Sequence, residues 1–129
     1  MELDAKQKVL LAIYTEYQKD LPDMEREISF KNLDLDNKIF RIAIDKLQNE
    51  QMINGATIIR GGNSHIPLHV NVGDIKMTRQ GIDFVEQKLQ IDRTLTGVEK
   101  VKVISQNATK WGWEQLKDLA AKVLSEMLK

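Results

Sequence analysis

His65 and His69 are the only histidines, four residues apart. On a helix that spacing could bring two imidazoles to one metal. Pro67 stands between them, and no third ligand follows at a recognisable spacing, so no metal site is expected. Gly61-Gly62 lacks a following Gly-Lys-Ser/Thr and is not a phosphate-cradling P-loop. The chain has no cysteine, which removes disulfides, thiolate zinc sites and a thiol nucleophile. No serine or threonine sits in a nucleophile elbow, and the carboxylates are scattered along helical faces. The expectation is a protein that binds rather than catalyses, with no cofactor.

The side chains suited to binding are basic and amide groups. Lys38, Arg41, Lys46 and Asn49 fall in one segment, where lysine suits phosphate and arginine or asparagine suits a base edge. Arg60, Asn63 and His65, with His69 beyond them, flank Gly61-Gly62, and Lys76 and Arg79 follow. Such a loop suits a nucleic-acid backbone or a minor groove. Charge argues the other way. The formal net charge is zero, and residues 36–50 hold three basic and three acidic side chains, with Asp45 in their midst. A phosphate trap ordinarily carries a basic excess. Residues 51–79 are more favourable, with Arg60, Lys76 and Arg79 against Asp74 alone.

A third group of residues is apolar. Trp113, Leu116, Ala120, Val123 and Met127 step by three and four near the C-terminus, with Trp111 close by. This stripe can pack back on the preceding domain, mediate a homodimer or take a partner helix. Lysines flanking it also admit a membrane-surface helix, although Glu114, Asp118 and Glu126 share the polar face.

These groups need elements to position them. Leu10, Ile13, Tyr14 and Tyr17 recur at helical spacing from about Asp4 to Lys19, and Leu21-Pro22 ends that helix. A polar connection is expected to Glu27, then a short element from Ile28 to Leu35. Phe40, Ala43, Ile44 and Leu47 mark the buried face of a helix over about 37–51, capped by Asp34 or Asp36. Its outward face then carries Lys38, Arg41, Ile42, Asp45 and Asn49. Asn54-Gly55 reads as the turn leaving that helix. Two β-branched segments follow, around Ile58 and Val72, with a loop over residues 61–67 and a bulge at Gly73. Thr78 caps a helix over about 79–91, burying Ile82, Val85 and Leu89. Two further helical stretches end the chain, broken near Ser105-Gln106-Asn107.

Helix, short element, helix, hairpin, helix is the order of a winged helix-turn-helix. The expected fold is mainly α with a small antiparallel β-hairpin. Residues 1–92 form the winged-helix domain and 93–129 a helical extension that packs on it or mediates oligomerisation. No run of about 18 apolar residues could span a membrane. The periodic N-terminal segment is not a signal peptide, which leaves the cytoplasm as the expected location.

The string Ile75 to Gln87, with Thr78 and Gly81 in place, resembles the last wing strand and following helix of many bacterial winged-helix proteins. Together with VLLAIYTEY and FRIAIDKLQNEQMINGATI, it makes residues 5–92 similar to the YjcQ-like proteins of Gram-positive bacteria and their phages. Gln51 stands where those proteins often carry glycine. The resemblance implies a winged helix and a bacterial or prophage setting, without a catalytic signature. Two functions stand open: a DNA-binding regulator, dimeric through its tail, and a protein-interaction module on the same scaffold.

Overall fold

The computed structural model describes residues 2–129. Helix α1 (Ala5–Tyr17) starts at Asp4, which accepts the Gln7 amide while the Gln7 side chain accepts the Asp4 amide. From Val9 to Glu16 every residue is buried. The single stripe expected of this helix is therefore incomplete: α1 is the central element, with other helices packed around it.

The connection to residue 27 is not wholly irregular. Asp23 caps one turn of helix, α2 (Met24–Glu27), and Met24 drops into the core. Helix α3 (Asn37–Asn49) begins at Asp36, whose carboxylate accepts the amides of Lys38 and Ile39. It buries Phe40, Ala43, Ile44 and Leu47, as the periodicity requires. It ends at Gln51, which adopts a left-handed φ of 63°. There the Met52 amide reaches back to the Leu47 carbonyl and the Gln51 amide to that of Gln48. Gln51 therefore occupies a position that favours glycine.

The helix thus turns at Gln51, not at Asn54-Gly55. Ile53–Asn54 is a short strand, β1, paired antiparallel with β4 (Lys76–Met77). Strand β2 (Thr57–Ile59) pairs with β3 (His69–Asn71), with Ile58 opposite Val70. Between the two ladders, residues 55–56 face the longer stretch 72–75, so the second arm bulges around Gly73 and Val72 lies just outside the ladder. Gly55, at φ 87°, allows the Asp74 carbonyl to approach closer than any Cβ would permit.

Thr78 caps α4 (Arg79–Leu89) by accepting the Gly81 amide, and its hydroxyl donates to the carbonyls of Gln51 and Met52. In that helix Val85 and Glu86 are buried, while Ile82 and Leu89 are half-buried. Helices α5 (Gly97–Asn107) and α6 (Gln115–Met127) form an antiparallel pair that also contacts α1. The result is a mainly helical, winged-helix-like fold with a small antiparallel sheet. No helix is long and apolar enough to cross a membrane.

The C-terminal stripe packs inward. Trp113, Leu116, Ala120 and Val123 are each no more than 2% exposed, and Met127 is half-buried. These side chains complete the core against α1 and α5. Polar contacts fasten the extension as well. The Leu3 amide donates to the Trp111 carbonyl, Lys19 and Arg26 both hold Glu126, and Lys122 reaches Glu27. Buried Glu86 accepts from the Tyr14 hydroxyl and from Lys100, each at 2.7 Å, joining α1, α4 and α5. Burial, reinforced by the Glu86 carboxylate, pushes the Tyr14 phenol well above its ordinary value.

Candidate nucleic-acid interface

Helix α3 and the β2–β3 wing form one face. Two contacts fasten the wing to the helix. Arg41 Nη1 donates to the carbonyls of Pro67 at 2.8 Å and Leu68 at 2.7 Å. The Gln48 side chain accepts the Ala56 amide and donates to the Ala56 carbonyl. Arg41, expected at a base edge, is thus half-buried against the wing and acts as its strut. Between them runs a groove of about 230 Å³, lined by Phe30, Asn37, Arg41, Leu68 and His69 among others.

The three acids near α3 each have an internal partner. Asp36 caps the helix. Asp45 pairs with Arg60 at 2.7 Å, and Glu50 pairs with Lys6 at 2.8 Å. Lys38, Lys46 and Asn49 remain exposed, and neither lysine has an ion-pair partner among the described residues. Asn63, His65 and Lys76 are exposed on the wing and its base, as are His69 and Arg79. Arg60 is half-exposed, but its charge already faces Asp45. The structure therefore brings Arg60 onto the helix and leaves Lys38, Lys46, Asn49, Asn63, His65 and Lys76 facing solvent.

The apolar part of this face departs from the periodic reading. Ile42 is half-buried, whereas Ile39 is 48% exposed. On the wing, Ile59 is 47% and Leu68 60% exposed. Alternation along β2 and β3 could have identified Ile59, but Leu68 lies in the loop stretch where no period applies.

Among the described residues, no cluster of three or more potential metal ligands occurs. A cavity of about 590 Å³ lies between the end of α1 and the start of α5. Of its charged wall groups Lys19, Asp20, Glu126 and Lys129, Lys19 and Glu126 pair with each other. Residues 7–104 match the family described as YjcQ protein. The chain belongs to the YjcQ family. That match includes α3, the wing, α4 and most of α5, while α6 lies beyond it. No curated protein and no solved structure matches.

The buried acids were not apparent as functional or structural features in the sequence. Glu86 does carry a signal: it falls on the stripe of Ile82, Val85 and Leu89, where an acid must find a partner or stay protonated. That partner, Lys100, sits on a different helix.

Proposed function

We propose that this protein is a non-catalytic DNA-binding protein, a small regulator that lays the outward face of α3 against a duplex with the wing alongside. One observation carries the reading. Every acid on or flanking α3 has an internal partner, while Lys38, Lys46 and Asn49 face outward without one. The formal charge balance of residues 36–50 therefore overstates the negative charge a phosphate would meet. On this reading Lys38 and Lys46 contact phosphates, Asn49 reaches a base edge, and Asn63, His65 and Lys76 lie along the backbone.

The test is a fluorescence titration of the full chain against mixed-sequence duplex DNA at low and higher salt. Binding should weaken with salt, and Lys38→Ala with Lys46→Ala should reduce the log–log salt slope by about 2. No binding at low salt, where counterion release is strongest, refutes the proposal.

A protein-interaction module is the alternative, favoured by the exposed Ile39, Ile59 and Leu68 on the same face. Binding to a partner there would depend on Leu68 and little on salt.

A further inference from the structure

Asp45 is the one acidic residue within α3, and Arg60 immediately follows β2. They meet across fifteen positions of sequence at 2.7 Å, with 26% and 52% of their side chains exposed. The pair is not what holds the wing in place. Arg41 and Gln48 do that, through four hydrogen bonds to the backbone of Ala56, Pro67 and Leu68. An exposed ion pair adds little to folding. Its effect is on charge: it occupies a guanidinium suited to phosphate, and that guanidinium masks the Asp45 carboxylate on the outward face.

We propose that Asp45 is an intramolecular competitor for Arg60, holding the wing arginine away from a nucleic-acid backbone. This rests on the DNA-binding reading and adds a control to the same face. Guanidinium binds carboxylate and phosphate with the same paired donors, so a duplex and Asp45 compete for one group. Against random DNA the exchange brings little, because releasing Arg60 uncovers Asp45 beside phosphates. Backbone-only binding is thereby weakened, and contacts elsewhere on the face gain weight in selecting a site.

The experiment titrates wild type, Asp45→Asn, Arg60→Gln and the double variant against mixed-sequence duplex at several salt concentrations. Asp45→Asn should bind about five- to tenfold more tightly at low salt, with a salt slope steeper by about 0.9, one added phosphate contact. Adding Arg60→Gln should return both affinity and slope to near the wild-type values. Thermal midpoints of all four should agree within a few degrees, since the wing has its own fastenings. If Asp45→Asn gains nothing while wild type binds, the competitor role falls and the DNA reading stands. It falls equally if the double variant keeps the gain, because Arg60 is then not the group released. A strongly destabilised Asp45→Asn would show the pair to be structural and overturn it too. If none of the four binds at low salt, both readings fall.

Discussion

Replacing Gly81 by alanine tests how the wing is joined to the following helix. Gly81 is buried in the first turn of α4, over the last residues before β1. An added Cβ would overlap the Met52 carbonyl oxygen and stand 2.9 Å from the Met52 carbonyl carbon and 3.1 Å from its Cα. These are backbone atoms, so no side-chain rotation relieves the overlap. The first turn of α4 must back away. That lengthens the Thr78 hydroxyl bond to the Gln51 carbonyl, now 2.6 Å, and the Thr78 amide bond to the Met52 carbonyl, now 3.2 Å. Overpacking of this kind costs about 1–3 kcal/mol. Loosening two hydrogen bonds adds about 1 kcal/mol each. Alanine's better helix propensity returns about 1 kcal/mol. The net expectation is a loss of about 2–4 kcal/mol, which lowers the urea midpoint by roughly 1–3 M. Gly73→Ala is the control. The nearest atom to its new Cβ is the Asn71 side-chain oxygen at 3.5 Å, and the change should stay within about 0.5 kcal/mol. Equal midpoints for Gly81→Ala and wild type would refute the close approach of α4 to Met52.

The left-handed Gln51 predicts that Gln51→Gly stabilises the chain by about 0.5–1 kcal/mol, read as a higher urea midpoint. Glu86→Gln should lower stability by about 3 kcal/mol, because Lys100, only 13% exposed, would lose its counter-charge. The paired change Glu86→Gln with Lys100→Met keeps an acceptor for the Tyr14 hydroxyl and should recover most of that loss in the same unfolding assay. The hydrogen bond from Lys19 holds the Glu126 carboxyl below its ordinary 4.5. A lowered carboxyl pKa stabilises the fold above that ordinary value, and the contribution disappears as pH falls through the folded one. Tryptophan-monitored unfolding from neutral into acid should therefore show a smaller acid loss in Glu126→Gln than in wild type.

Much of the local structure was legible without coordinates. Asp36 and Thr78 cap helices because a short polar side chain before an apolar period has orphan amides within reach. Phe40, Ala43, Ile44 and Leu47 face inward because 3.6-residue periodicity leaves one side to bury them. The resemblance marked Thr78 and Gly81, and the geometry supplies their reason: one ties α4 to the end of α3 while the other lets it approach Met52. What pattern reading missed was either too short or too long in range. The α2 turn and the β1–β4 pairing span too few residues to show a period. The turn at Gln51 was obscured because glutamine takes a conformation that favours glycine.

The sequence alone determined which segments could be helix or strand and which faces were apolar, since those follow from neighbours within a few residues. It left open where the charged groups would go. That Arg41 braces the wing, Arg60 finds Asp45, Glu86 meets Lys100 and the tryptophan stripe turns inward are results of segments meeting from far apart in the chain. An ion pair or a buried face depends on distance in space, which only the packed tertiary structure fixes.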